Sequence, residues 1–266
     1  MSEVIQNPWT RLRSFTNARL ALGRAGDSLP TNEVLDFALA HAQARDAVHH
    51  ALEVESIARD LKASGFESIT VQSAARDRAE YLRRPDLGRR LSDTSRSLLD
   101  SCHPERSEGP ASSNESRSEA PSAAFIIADG LSAIAPVRHA VPVLREITSK
   151  LEGWQIAPLI IATQARVALG DEIGELLNTE MTIVLIGERP GLSSPDSLGI
   201  YLTYNPRIGC TDADRNCISN VRPEGLSYEA AAHRLHHLMI AARRAEQSGI
   251  ALKDESDLPR FEVKNP

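Results

Sequence analysis

A mostly parallel, doubly wound α/β sheet of Rossmann-like kind, preceded by an N-terminal helical region, is the fold class this sequence predicts. Three observations predict it. Aliphatic runs recur at Ala124-Phe125-Ile126-Ile127-Ala128, at Pro158-Leu159-Ile160-Ile161-Ala162 and from Thr182 to Ile186. Stretches with apolar residues at helical spacing separate these runs. A long helical pattern comes well before the first. Short apolar runs alternating with amphipathic helices are the signature of buried parallel strands joined by right-handed crossovers.

The elements follow in order. Residues up to 30 are polar and basic, with Arg11, Arg13, Arg19 and Arg24, and read as an arm. Thr31 follows Pro30 as a plausible N-cap, and Leu35, Leu39, Val48, Leu52, Ile57 and Leu61 form a helical stripe. One long helix over 31–63 is therefore expected, ended by Gly65. Its histidines, His41, His49 and His50, lack partners at metal-ligand spacing and read as surface or packing. Ile69 to Ser73 alternates as a short strand. In Tyr81-Leu82-Arg83-Arg84-Pro85-Asp86-Leu87-Gly88-Arg89-Arg90-Leu91 a proline and a glycine force a turn surrounded by arginines. Such a turn suits an anion or an acidic partner, and equally a solvated surface.

Residues 101–122 are rich in Ser, Glu and Pro with almost nothing apolar. They cannot bury enough surface to offset their ordering entropy, so a disordered insertion is expected there. The organisation predicted is residues 1–100 as arm and helical region, 101–122 as insertion and 123–266 as the α/β domain. Within that domain Val137, Val141, Leu144, Ile147 and Leu151 mark a helix, and Ile173, Leu176 and Leu177 a shorter one. Leu198 to Tyr204 is a fourth strand. Ser227 caps a final helix carrying Ala231, Leu235, Leu238 and Ala242.

Composition narrows the function. The chain has 266 residues, of which 41% are hydrophobic and 4% aromatic, so its core is aliphatic. A net charge of −6 speaks against a dedicated nucleic-acid binder. No apolar run is long enough for a membrane span, and the start lacks the pattern of a secretory signal. Three cysteines make no disulfide framework, and a reducing, cytoplasmic setting is expected. Neither Gly-x-Gly-x-x-Gly nor a P-loop follows a strand. No Gly-x-Ser-x-Gly elbow occurs, nor the Asp-x-His-x-x-Gly by which one group of cobalamin proteins ligates cobalt.

Three strand ends do carry chemistry: Asp129-Gly130-Leu131-Ser132, Arg166-Val167 and Gly187-Glu188-Arg189-Pro190-Gly191. In an open α/β sheet, ligands bind beyond the carboxyl ends of the strands. If these strands are parallel, the three ends share one edge. They offer Asp129 and Glu188 as carboxylates, Arg166 and Arg189 as guanidiniums, the Ser132 hydroxyl and free backbone amides. No nucleophile–base pair is among them, so the edge reads as a binding surface with no catalytic residues and no metal ligands.

Five runs carry a resemblance: Ala18-Arg19-Leu20-Ala21-Leu22-Gly23-Arg24-Ala25-Gly26, the Glu80 to Leu91 stretch, Asp129-Gly130-Leu131-Ser132, Gly187-Glu188-Arg189-Pro190-Gly191-Leu192 and Asp214-Arg215-Asn216-Cys217-Ile218-Ser219-Asn220. In order and across nearly the whole chain, the sequence resembles the small (light) subunit of ethanolamine ammonia-lyase. The resemblance implies a TIM-barrel large subunit as partner, with adenosylcobalamin held between the two chains and ethanolamine bound by the large one. Cobalt–carbon homolysis gives a radical that abstracts hydrogen from ethanolamine, and acetaldehyde and ammonia leave. By motif, Val167, Glu188 and Cys217 are the implied cofactor contacts, and Asp129, Ser132, Arg166 and Arg189 follow from position. Members often work in microcompartment shells. The chain departs from the family in the 101–122 insertion and in a slightly shortened stretch between Tyr204 and Asp214. The N-terminal helix and the Arg83–Arg90 loop are the expected contacts with the large subunit. A stand-alone α/β enzyme with a nucleotide cofactor, and a structural partner without cofactor contact, are the competing readings.

Overall fold

The computed structural model describes residues 7–16, 18–101 and 121–256. Seven α-helices and seven strands lie within them. A short 3-10 turn over Pro8–Phe15 comes first, followed by α1 (Thr31–His49), α2 (Val54–Ala63) and β1 (Ser68–Gln72). Next are α3 (Arg78–Arg83), α4 (Asp93–Ser101), β2 (Ser122–Ala128), α5 (Ile134–Thr148), β3 (Gln155–Ile156) and β4 (Leu159–Thr163). The chain continues through α6 (Leu169–Leu176), β5 (Met181–Gly187), β6 (Leu198–Tyr204), β7 (Arg215–Val221) and α7 (Tyr228–Ala245). The expected insertion at 101–122 falls almost wholly outside the described residues.

The strands form one mixed, mostly parallel sheet in the order β1-β4-β2-β5-β6-β7, with β3 beside β2. β1, β4, β2 and β5 run parallel, whereas β6 and β7 are antiparallel to their neighbours. Alternation of side chains sorts the core into two layers. Phe125, Ile127, Ile161, Ile183 and Leu185 pack on one face with Ile57 and Leu61 of α2, Leu144 of α5 and Leu235 of α7. Ala124, Ile126, Ile160, Val184 and Ile186 face the other way, onto Leu99 of α4 and Leu169 and Ile173 of α6. Each such aliphatic side chain, fully buried, contributes about 1.5–3 kcal/mol. Sequence reading placed the core strands 122–128, 159–163 and 181–187 within a residue or two, because strands buried on both faces are continuous apolar runs.

One expectation is corrected, and two features of the sheet were not read from the sequence. The helix over 31–63 is two helices, broken at His50, whose backbone is extended. No proline or glycine marks that break. It is tertiary: the Arg78 guanidinium binds the Val48 carbonyl at 2.7 Å, and Leu52 and Val54 turn onto the sheet core. The stripe expected to pack along the whole helix is instead open over α1, where Leu35 is 63% exposed. β6, read simply as the fourth strand of a mostly parallel sheet, runs antiparallel. The loop from Glu188 to Ser197 holds no crossover helix, and a parallel return needs one. Finally, β7 was not read as a strand, since its burial alternates only weakly and polar residues dominate it.

Candidate functional site

β2, β4 and β5 are parallel neighbours, so their carboxyl ends do share one edge. A cavity of about 450 Å3 opens there, lined by Gly130, Leu131, Arg166, Val167, Ile186, Glu188 and Arg189, with Tyr81 and Tyr201. Four of the sequence-predicted residues therefore line it: Val167, half-buried; Arg166; Glu188; and Arg189, which is exposed.

Asp129 and Ser132 lie beneath the cavity instead. Asp129 is 1% exposed and both its oxygens are occupied. Oδ1 accepts from the Ala165 amide at 2.8 Å, and Oδ2 accepts from the Gln164 amide at 2.8 Å and from Arg78 at 3.1 Å. Burial pushes this carboxyl up, and the Arg78 guanidinium with the two amides pulls it back. Asp129 thus ties the turn after β4 to α3. The Ser132 hydroxyl donates to the Pro195 carbonyl at 2.7 Å and ties the turn after β2 to the β5–β6 loop.

The wall opposite β5 comes from the arginine-flanked loop. Tyr81 is fully buried and its hydroxyl donates to the Ala165 carbonyl at 3.1 Å. The guanidinium carbons of Arg78 and Arg166 lie 4.8 and 4.5 Å from its ring centroid. Each such cation–π contact is worth about 0.5–2 kcal/mol, more where water is excluded. Gly88 is required here by close approach: a Cβ would stand 2.9 Å from the Tyr81 ring. Its carbonyl accepts from the Arg166 amide at 2.8 Å. The arginines of the loop, Arg83, Arg84, Arg89 and Arg90, stay exposed. Sequence reading found the loop by these charges, while the buried members, Tyr81 and Gly88, build the site.

Gly187 acts similarly. Its role, too, is proximity. A Cβ there would stand 1.9 Å from the Ser132 carbonyl oxygen, and its own carbonyl accepts from Leu131 at 2.9 Å. Gly130, at φ +55°, has equally little room. Backbone contact between these turns presents Glu188 at the cavity. Cys217, on the edge strand, is exposed and pairs in register with Tyr201 of the cavity wall. Burial, then its interaction with Cys217, pushes the Tyr201 phenol up. Tyr201 went unremarked in the sequence because its role depends on the antiparallel pairing of β6 with β5 and β7.

The β5–β6 loop is latched at Asp196, which pairs with Arg138 at 2.7 Å and lies 3.5 Å from His139 Nε2. His139 Nδ1 shares a hydrogen bond of 2.8 Å with the Tyr228 hydroxyl. Burial lowers the His139 pKa below 6.5, outweighing Asp196; burial lowers that of His236 as well. The unfolded chain therefore takes up these protons before the folded one does. Stability is expected to be flat above neutral pH and to fall as pH drops below about 6.5, where the unfolded state binds more protons. Urea midpoints from pH 7.5 to 5.5 check this. His139→Asn should show a shallower fall than the parent, and an equal fall would exclude His139 as the source.

The chain is an α/β protein whose sheet-edge cavity, with one carboxylate, guanidiniums and an apolar wall, is a candidate ligand site. Its residues match the family model of the ethanolamine ammonia-lyase light chain (EutC) over residues 6–253. The chain is 52% identical over 263 residues to the ethanolamine ammonia-lyase small subunit of Azotobacter vinelandii, covering 98% of this chain and 93% of that one. It is 52% identical to that of Pseudomonas fluorescens strain SBW25, covering 98% and 91%, and 51% identical to that of Ralstonia nicotianae, covering 98% and 93%. The chain belongs to the ethanolamine ammonia-lyase light-chain family.

Proposed function

We propose that this chain is the cobalamin-binding small subunit of an ethanolamine ammonia-lyase, acting with a large subunit in the deamination of ethanolamine to acetaldehyde and ammonia. The observation that carries the reading is the cavity at the carboxyl ends of β2, β4 and β5, in a chain of this family. Its residues fit the rim of a corrinoid. Neutral amides surround such a ring, and the cavity offers the Glu188 carboxylate to accept from them and the Arg166 guanidinium to donate. Leu131, Val167, Ile186 and Tyr201 supply apolar contact. Cys217 borders the same surface. A cavity of about 450 Å3 is the size that encloses a drug-like ligand. A corrinoid is larger, so the rest of it must lie against a second chain.

Adenosylcobalamin, when bound, supplies radical initiation through its cobalt–carbon bond. This chain's share is to bind and orient the cofactor and keep water from one side of it. Substrate chemistry belongs to the large subunit, in this reading a TIM barrel. Residues 123–256, together with α2, β1 and α4, which pack in the same sheet and core, serve as the cobalamin-binding unit, joined by Tyr81, and α1 reaches toward the large subunit. The exposed apolar residues of α1, Val34, Leu35, Phe37 and Leu39, support that contact, as do the exposed Arg89 and Arg90. A doubly wound, Rossmann-like arrangement is supported by α2, α5 and α7 on one face and α4 and α6 on the other. Among the described residues no helix is long and apolar enough to cross a membrane. A cytoplasmic setting is the reading of the low cysteine count, and a microcompartment shell that of the resemblance.

Co-expression with the large subunit should give acetaldehyde formation that requires both chains and adenosylcobalamin. In the assembled complex Glu188→Ala should weaken adenosylcobalamin binding about 10-fold or more, the loss of one charge-assisted hydrogen bond. Unchanged affinity by titration would remove Glu188 from the cofactor site.

A further inference from the structure

Glu188 does not stand free at the end of β5. Its Oε2 accepts from the Ser197 hydroxyl and from the Asn220 backbone amide, the latter at 3.2 Å. Both donors fall on the same oxygen. Oε1 accepts no hydrogen bond from the described residues. The two donors come from the residue just before β6 and from β7, at a register fault between those strands: Leu198 pairs with Val221, but Ile200 pairs with Ile218. Ser219 and Asn220 together oppose Gly199, which makes a β-bulge. Asn220 is left-handed, at φ +59°. That conformation is tolerated by asparagine but sparsely populated outside glycine, and is held where surrounding contacts over-determine it. Those contacts are present. The Asn220 carbonyl accepts from Leu226 at 2.8 Å, and its side-chain oxygen accepts from Arg222 at 2.9 Å. Bulges recur beside functional sites, where they re-aim a group.

Gly199 completes the arrangement. Its φ is not left-handed, so an alanine could adopt its backbone. An added Cβ, however, would stand 3.1 Å from Glu188 Cγ and 3.2 Å from Oε1. Glycine at this position keeps the space beside Oε1 clear.

We propose that the β6–β7 bulge is a socket that positions Glu188, with Ser197, Gly199 and Asn220 as positioning residues. The socket saturates Oε2 and leaves Oε1 as one open acceptor at the cavity. A single acceptor of fixed direction selects one neutral N–H or O–H donor on the ligand. Carboxylates that grip cations bidentately need both oxygens. The inference rests on Glu188 as a ligand contact, and deepens that reading by naming what sets its specificity. The run Asp214 to Asn220, conspicuous in the sequence, thereby gains a second role beside Cys217: it delivers the Asn220 amide.

The test is a double-mutant cycle on the complex with the large subunit, titrated with adenosylcobalamin. Ser197→Ala and Gly199→Ala should each weaken binding about 5-fold, the worth of one ordinary hydrogen bond. Ser197→Thr, which keeps the hydroxyl, should restore most of it. In the Glu188→Ala background neither substitution should weaken binding further, because both act through that carboxylate. Ser197→Ala without effect, while Glu188→Ala weakens binding, overturns the socket alone. So does a Ser197→Ala effect that persists undiminished in the Glu188→Ala background, which would mean that Ser197 merely holds its loop. If Glu188→Ala itself leaves affinity unchanged, the ligand contact fails first and the socket falls with it. Each variant's thermal melt in the complex is recorded alongside; a melt that drops together with an additive loss of affinity marks a structural role.

Discussion

Asp171→Ala is expected to destabilise the chain by about 3–5 kcal/mol, the largest effect of any single side chain outside the apolar core. Asp171, in the first turn of α6, and Arg215, at the start of β7, are buried together, with side chains 3% and 2% exposed. The pair is bidentate, at 2.5 and 2.8 Å, and Arg215 also donates to Thr203 Oγ1 at 3.1 Å and to the Cys210 carbonyl at 3.0 Å. Desolvating two charges is costly, so the intact pair adds little net stability. Removing the carboxylate alone is different, because it leaves a buried guanidinium with only the solvent-exposed Asp212, 3.7 Å from its Nε, as counter-charge. For a chain of this size each kcal/mol moves the melting temperature by roughly 2–4 °C, so a fall of about 10 °C is expected. Calorimetry of Asp171→Ala beside the double variant Asp171→Leu with Arg215→Met checks the cause. The double variant should recover much of the loss, and a double variant as unstable as the single one would contradict this account.

Gly187→Ala is the second. Its new methyl would stand 1.9 Å from the Ser132 carbonyl oxygen and 2.7 Å from that of Asp129. Both neighbours are backbone, in a turn that is itself fixed by the Leu131–Gly187 and Ser132–Pro195 hydrogen bonds. No side chain can swing aside to make room. Overpacking of this kind costs typically about 1–3 kcal/mol, and a clash with backbone belongs at the upper end. β5 and the 129–132 turn must separate, carrying Glu188 with them. The variant should therefore lose both stability in urea unfolding and adenosylcobalamin affinity in the complex. A Gly187→Ala protein that melts and binds as the parent does would show that the two turns are not held in contact.

Both effects illustrate what could be read from residues and what could not. Gly187, Glu188 and Arg189 were legible as a site because a buried strand ending in glycine and charge is a local pattern. Asp129 was legible as a strand-end carboxylate by the same logic. Its burial was not, since it depends on Arg78 from a helix 51 residues earlier. Arg83 to Arg90 was legible as basic, but Tyr81 and Gly88 became part of the wall only when the loop docked on Arg166. The break at His50 had no local cause at all.

The sequence by itself determined β1, β2, β4, β5 and β6, the helices α5, α6 and α7, the strand ends that bear the candidate site and the membership of a family. These rest on hydrophobic period and short contiguous motifs, which survive without knowledge of neighbours. Only the tertiary structure decided the antiparallel return of β6 and β7, the ion pair between Asp171 and Arg215 and the bulge that meets Glu188. Each of these joins residues far apart in the chain, through distances and register that folding alone brings into being.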